Sequence, residues 1–296
     1  MSRKIRVVVN PGSGQPKPVL HSLNSVFRPA NVEWELSLTN ESGDAERFAR
    51  EAVNDQVDVV AAFGGDGTVM EVARGVMGSK VPMAILPGGT ANLMSVELGI
   101  PKDLADAAEI AANPLSEIKS IDVGEINGTY FLLRVGLGIA AQKVELADRE
   151  MKDRYGLMAY SIAALKAMKN AKQVKYYFNL DGQEFEEEGV SCLVDNAGNF
   201  GVSGFKASKD ISVFDGLLDV ILIRDRSFQS FVSIGKSVAT STPTQDTMHH
   251  WQAKEINIET DPTQSIQVDG EIGWETPVNI KVVPGAVRIL TRRDSS

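Results

Sequence analysis

The stretch VVAAFGGDGTVMEVARGV, Val59 to Val76, joins a wholly apolar run to a helical pattern through the turn Gly64-Gly65-Asp66-Gly67. After the turn, Val69, Val72, Ala73 and Val76 recur at i, i+3, i+4 and i+7, which is one face of a helix. The spacing therefore predicts a strand, a glycine turn and a helix in immediate succession. Thr68 with Glu71 three residues on matches a capping box that would fix the helix start. Such a junction gathers unpaired N–H donors at the positive end of a helix dipole, a setting that suits phosphate. Asp66 is out of place in an anion site unless a cation stands between its carboxylate and the phosphate. The competing reading is a plain βα connection that binds nothing.

Outward from this stretch the same alternation continues. IRVVVN and VEWELSLT read as strands, ESGDAERFAREAV as a helix with Phe48, Ala49, Ala52 and Val53 on one face, and VPMAIL as a further strand. Apolar strands alternating with helices imply a parallel sheet covered on both faces. Two more glycine turns follow strands: NPGSG (Asn10–Gly14) and LPGGT (Leu86–Thr90). Thr90 could cap a helix running to Leu98 and closed by Gly99. Turns that follow parallel strands share the carboxyl edge of the sheet, where open α/β sheets bind ligands. Neither G-x-x-x-x-G-K-[ST] nor a G-x-G-x-x-G after a strand is present, so a phosphate site here is of another kind.

Beyond IDVGEING the texture changes to short strands separated by turns: YFLLRVGLGI, VKYYFNLDG, GVSCLVDNAG, LLDVILIRD, EINIETD, SIQVDGEIGW and VNIKVVP. This pattern predicts an antiparallel sheet or sandwich, interrupted by a helix from Val144 to about Lys172. The expected division is an α/β domain over 1–122 and a β-sandwich over 123–285. By themselves, the Asp-Gly pairs in SVFDGLLDV and SIQVDGEIGW read as hairpin turns.

Composition limits the function classes. The chain has 296 residues, 43% of them hydrophobic, which is ample for a core. One cysteine and three histidines leave no intramolecular disulfide and disfavour cysteine- or histidine-rich metal sites. A net charge of −9 argues against nucleic acid as the main partner. No signal-peptide pattern or bilayer-length apolar run is visible, so the expectation is a soluble cytoplasmic protein.

The motifs NPGSG, GGDGTVMEVARG, LPGGTANLMSVELGIP, FDGLLDV and VDGE, in this order from Asn10 to Glu271, resemble the diacylglycerol kinase catalytic-domain family, specifically its soluble bacterial lipid kinases. GGDG alone also occurs in NAD kinases and phosphofructokinases; the LPGGT segment and the distant DGE point to the lipid branch. The resemblance implies an α/β nucleotide domain resembling NAD kinase and diacylglycerol kinase, a β-sandwich, and a cleft between them. It also implies that the last strand, near AVRILTR, returns residues 286–296 to the first domain. The implied reaction is Mg²⁺-dependent transfer of the ATP γ-phosphoryl group to a lipid hydroxyl. Asn10, Thr39, Gly65, Asp66, Gly67, Thr68, Glu71 and Thr90 are the implied nucleotide residues, with Asp66 acting through the metal. The Asp215 carboxylate and the main-chain carbonyls of Ser212 and Leu217 are the implied ligands of a structural Mg²⁺. Asp269 and Glu271 are the implied catalytic acids, with Glu271 assigned as the base and the two roles exchangeable.

Some positions depart from the family pattern: Met70 before Glu71, Leu93-Met94-Ser95 after Asn92, and a glycine- and proline-poor approach to the FDG loop. They bear on which lipid is accepted. Membrane contact is expected to be peripheral, at the inner membrane face. The candidate segment has Leu157, Met158, Ile162, Leu165 and Met168 on one side, with Lys166, Lys169, Lys172 and Lys175 concentrating charge at one end. Packing of that helix on the sandwich is the alternative. His249-His250-Trp251 is either a second surface contact or a part-buried anchor. An NAD kinase acting on a soluble substrate, or a non-catalytic nucleotide- or lipid-binding protein, are the competing functions. The sequence leaves oligomeric state open, a homodimer included.

Overall fold

The computed structural model describes residues 2–14, 18–138, 172–199, 211–224 and 248–293. The chain divides into two compact units, Met1–Val123 with Pro284–Ser296, and Gly124–Val283. The helix expected from Val144, with its apolar face and most of its lysines, lies outside the described residues. Among the described residues no helix is long and apolar enough to cross a membrane.

Unit 1 is a parallel sheet with helices on both faces. Its elements are β1 (Arg3–Val9), α1 (Val19–Phe27), β2 (Val32–Leu38), α2 (Asp44–Asn54), β3 (Val59–Gly64), α3 (Asp66–Val76), β4 (Met83–Pro87), α4 (Leu93–Glu97) and α5 (Leu104–Ala112). The strand order is β2-β1-β3-β4, so the chain first steps to one side of β1 and then back past it. Because crossover connections are right-handed, that reversal puts α1 on one face and α2 and α3 on the other. The helix pairing agrees: α1 packs with α5, and α2 with α3. All residues of β3 and β4 are buried, which explains their apolar composition. β2 is the sheet's edge and exposes Leu36 and Leu38.

Two strands, β5 (Glu117–Ile126) and β16 (Val278–Thr291), pair with each other and run from one unit into the other. The far end of β16 joins unit 1 beside β4 in parallel, Ile289 opposite Met83. Within unit 1, Asp122 accepts a hydrogen bond from the Gly285 N–H at 2.7 Å, tying β5 to β16.

Unit 2 is a sandwich of antiparallel sheets. One comprises β8 (Val174–Leu180), β9 (Gln183–Gly189), β13 (Glu255–Asp261) and the first part of β16, in the order β16-β13-β8-β9. The other comprises β7 (Arg134–Gly138), β10 (Ser191–Asp195), β11 (Leu218–Ile223), β12 (Met248–Ala253), β14 (Ser265–Val268) and β15 (Glu271–Glu275), in the order β12-β11-β10-β7-β14-β15. A short strand β6 (Thr129–Phe131) pairs with β5. Alternation drives the packing. Val174, Tyr176, Phe178 and Leu180 of β8 face inward and meet Leu137, Cys192, Val194, Val220, Leu222 and Ile266 of the facing sheet. Each such side chain contributes about 1.5–3 kcal/mol by leaving water.

Sequence periodicity did not pick out β9 or β12. QEFEEEG carries four glutamates because it is an edge strand whose Phe185 turns inward. In MHHWQA, Trp251 packs on Phe178 and Phe185 with ring centroids 5.6 and 5.2 Å apart, so the His-His-Trp motif is a part-buried strand anchor. YFLLRVGLGI, read as one strand, breaks into β6 and β7 around Leu132 and Leu133.

The α2–α3 contact yields a test. A Cβ at Gly75 would lie 2.5 Å from the Ala49 Cβ and 2.6 Å from the Glu46 carbonyl oxygen. Alanine should gain about 1 kcal/mol in helix propensity but lose about 1–3 kcal/mol to overpacking. We therefore expect Gly75→Ala to lower the urea midpoint; a raised midpoint would show that the two helices separate freely.

Candidate active site

The glycine turns that follow β1, β3 and β4 converge where the strand order reverses. The Asn10 N–H donates to Phe63 O at 2.9 Å, and the Gly65 N–H donates to Ser13 Oγ at 3.3 Å. Gly88 and Gly89 N–H both donate to Gly64 O, at 2.9 and 3.2 Å. Here the glycines serve contact between backbones. A Cβ on Gly89 would stand 2.6 Å from the Gly65 Cα, one on Gly14 would overlap Gly88 O, and one on Gly64 would strike the Thr68 side chain. Gly67 differs: a Cβ there would meet nothing within 4 Å, so this side of the turn is open.

Thr68 does not cap α3, whose N-cap is Gly65 with no side-chain cap. Its hydroxyl instead accepts from Asn10 Nδ2 at 3.1 Å, tying the first turn to the helix. Glu71 closes no capping box either. Its carboxylate reaches the neighbouring helix and accepts from the Ala45 N–H at 3.1 Å and the Ser42 hydroxyl at 3.3 Å. That bond positions the loop after β2, where the Thr39 N–H donates to Val9 O at 2.9 Å. Thr90 is exposed and caps nothing; Asn92 occupies the N-cap of α4 in a left-handed conformation (φ 49°). The Asn92 side chain both accepts from the Gly89 N–H and donates to Gly89 O, at 2.9 and 2.8 Å. Ser13 and Asn92 are thus site residues that the motif reading did not select. Gly99 ends α4 at φ 65°, as its position suggested.

Asp66 is the first residue of α3, and its carboxylate points across to α4, accepting from the Met94 N–H at 3.3 Å. Burial pushes this carboxyl above its usual range, against the nearby amides of Met94, Leu93 and Asn92 that favour the charged form. A part-buried carboxylate beside the first amides of α3, which have no acceptor within their own helix, fits a cation-bridged phosphate. Asn10, Thr39, Gly65, Gly67, Thr68 and Glu71 surround the same turns or brace them.

In unit 2, the turn Asp269-Gly270 joins β14 to β15 with both residues at positive φ (46° and 97°), a two-residue hairpin. The Asp269 carboxylate accepts from the backbone N–H groups of Leu132, Leu133 and Arg134 at 2.8, 3.0 and 2.8 Å. Burial drives its carboxyl upward while these amides and the Arg134 charge hold it down. Glu271, at the start of β15, is exposed. The Asp215-Gly216 pair forms a turn leading into β11, with the Asp215 carboxylate accepting from the Leu217 N–H at 3.0 Å and the Ser212 hydroxyl accepting from the Phe214 N–H at 3.3 Å. No cluster of three or more His, Cys, Asp or Glu side chains suited to a metal occurs among the described residues. A site here would combine one carboxylate with carbonyls, which suits a hard oxygen-seeking cation.

Glycine turns converging at the switch point of a parallel sheet, followed by a sandwich with an acidic hairpin, make up an architecture of the NAD kinase and diacylglycerol kinase fold. Comparison with known proteins agrees. The Diacylglycerol kinase catalytic domain family matches residues 4–126, and the YegS C-terminal NAD kinase beta sandwich-like domain matches residues 134–291. A protein named "Putative lipid kinase" from Staphylococcus haemolyticus is 33% identical over 86% of this chain and 85% of its own. One of the same name from Staphylococcus aureus MRSA252 is 32% identical over 97% and 93%. A crystal structure titled as a putative diacylglycerol kinase from Bacillus anthracis superposes with a TM-score of 0.83 at 30% identity, covering 98% and 97% of the two chains. The chain belongs to the diacylglycerol kinase catalytic domain family.

The raised carboxyl of Asp66 has a measurable consequence. The folded protein holds that proton more tightly than the unfolded chain, so stability contributed here falls as pH climbs above 3.8. Asp66→Asn keeps an acceptor for Met94 and removes the charge. Its melting temperature without ligand should exceed that of the wild type at pH 7, and the gap should close as pH falls towards 3.8. A gap independent of pH would mean that Asp66 ionises as it does in water.

Proposed function

We propose that this protein transfers the γ-phosphoryl group of ATP to the hydroxyl of diacylglycerol or a related lipid alcohol, with Mg²⁺. The observation that carries the reading is the converged set of turns around Asp66, in a chain of this family that also carries the DGE hairpin. Magnesium-bound ATP supplies an electrophilic phosphoryl group whose charge is partly neutralised, and the rest of catalysis is positioning. Asn10, Gly65, Gly67, Thr68 and the first amides of α3 hold the phosphates, Thr39 and Thr90 border the nucleotide, and Glu71 braces the loop beside it. Asp66 holds the cation.

Glu271 takes the proton from the acceptor hydroxyl. Two features favour it over Asp269: its carboxylate is exposed, whereas that of Asp269 is engaged by three amides. Asp269 holds the hairpin in place. Asp215, with the carbonyls of Ser212 and Leu217, binds a second, structural Mg²⁺ that fixes the loop before β11. The acceptor lipid is reached by peripheral contact with a membrane surface.

The test is incubation with γ-labelled ATP, Mg²⁺ and a panel of lipid alcohols in mixed micelles, with NAD as a control. Label should enter diacylglycerol or another lipid alcohol; label in NAD, or bound nucleotide without transfer to any acceptor, refutes the reading. Glu271→Gln should lower turnover at least about a thousandfold, towards the upper range of losses for acid–base groups. Its ATP affinity should stay within a few-fold. Retained turnover would assign the base to another group.

A further inference from the structure

Five strands of the larger sandwich sheet bring a row of charged and polar side chains to one end. The register places Gln252 of β12 opposite Asp219 of β11, Asp219 opposite Asp195 of β10, and Asp195 opposite Arg134 of β7. The next strand, β14, is followed directly by Asp269, whose N–H donates to Arg134 O at 3.0 Å. This same end of the sheet carries the Asp215 turn ahead of β11 and Glu271 at the start of β15. The row therefore lies between the two acidic motifs of unit 2 and connects them.

Its members are costly to bury. Asp195 is 0% exposed and Asp219 1%, and neither oxygen of Asp195 accepts a hydrogen bond. Desolvation pushes the Asp195 carboxyl up to about 6, opposed first by Arg134. The Arg134 Nε lies 3.5 Å from Asp195 Oδ1. Its Nη2 donates to the carbonyls of Ala197 and Asn199 at 3.2 and 2.7 Å. The backbone of the same residue both donates to the Asp269 carboxylate and accepts the Asp269 N–H. Asn196 reinforces the join, its Nδ2 donating to Leu132 O at 2.8 Å and its N–H to Leu133 O at 2.9 Å. On the other side, Asp219 is bound by His250 Nε2 at 2.6 Å and Gln252 Nε2 at 3.1 Å. A buried pair of this kind adds little net stability over apolar replacements, so its presence calls for a reason other than stability.

We propose that Arg134 and Asp195 are positioning residues for phosphoryl transfer: their part-buried ion pair locks the Leu132–Arg134 backbone that grips Asp269, and so fixes where Glu271 stands relative to the Asp215 turn. The kinetic half of this proposal rests on the reading of Glu271 as the base. The structural half does not, because the grip on Asp269 can be measured directly.

The test replaces both partners at once, Arg134→Met with Asp195→Asn, so that no unpaired buried charge is left. Amide hydrogen exchange at Leu132, Leu133 and Arg134 should accelerate at least tenfold, while amides of the β8–β9 pair keep their protection. In the labelled-ATP assay kcat should fall at least tenfold, with KM for ATP within twofold, and Arg134→Lys should retain more kcat than Arg134→Met. Unchanged protection at Leu132–Arg134 overturns the proposal, as does unchanged kcat in a protein that phosphorylates lipid. If the wild type phosphorylates no lipid, the functional reading fails and the exchange result alone decides the positioning role. Should the double variant unfold, Arg134→Lys decides by the same exchange measurement. Lysine keeps the charge but loses the forked donation to Ala197 and Asn199, so exchange should accelerate at least threefold; unchanged protection there overturns the proposal.

Discussion

Backbone packed on backbone is the constraint from which the glycine-turn end of unit 1 follows. Gly88 and Gly89 share one carbonyl acceptor on Gly64, and Gly89 approaches Gly65 so closely that a single methyl group would part them. Three loops from separate strands can meet at one point because glycines stand where their backbones touch. The polar groups that do enter are short: Ser13, Asn92, and the Asn10–Thr68 pair. The glycine content of the motifs thus has two causes. Gly14, Gly88 and Gly89 are required by loop-on-loop packing and Gly64 by the Thr68 side chain above it, while Gly67 faces open space and leaves room for a ligand.

The same economy governs the sandwich, with Asp-Gly and Asn-Gly turns in place of glycine loops. Asn127-Gly128, Asp181-Gly182 and Asp269-Gly270 all have both residues at positive φ, the conformation that matches the twist of a hairpin. The two aspartates then do a second job. The Asp181 carboxylate accepts from Lys254 and Glu255 N–H, as Asp269 does from Leu132, Leu133 and Arg134. Each turn is stapled by its own side chain to a separate part of the unit, so hairpin position is set by hydrogen bonds as well as by the apolar core beneath.

What was legible in the sequence depended on whether the information was local. β3, α3 and β4 announce themselves because burial on all sides makes a strand uniformly apolar and because a helix face repeats within a few residues. Edge strands β9 and β12 did not, since β9 turns glutamates to water and the residues of β12 are mostly half-buried, with polar side chains among them. Capping was misassigned at Thr68 because its hydroxyl takes a partner from another loop, Asn10, and at Thr90 because α4 starts further along the same loop, with Asn92 at its N-cap. The Arg134–Asp195–Asp219 row was invisible for a related reason. Each residue is one polar letter at a strand end, and only antiparallel register brings residues 134, 195 and 219 side by side.

An internal comparison sharpens the division of labour among the acids. Asp181-Gly182-Gln183 and Asp269-Gly270-Glu271 are the same turn, with the same positive φ pair and the same carboxylate-to-amide bonds, on strands of one sandwich. If aspartate in such a turn were itself the mark of a catalytic site, the first turn should have one too. It is accounted for entirely by what it staples, and nothing about Asp269 in isolation demands more. What separates the two is the third residue: an amide at Gln183, a carboxylate at Glu271. It also separates their surroundings, since the charged row anchored by Arg134 and Asp195 stands behind the second turn, whereas Asp181 holds the start of β13. On the function proposed above, the chemistry of the DGE motif would sit on Glu271, with Asp269 and Gly270 forming the turn that presents it.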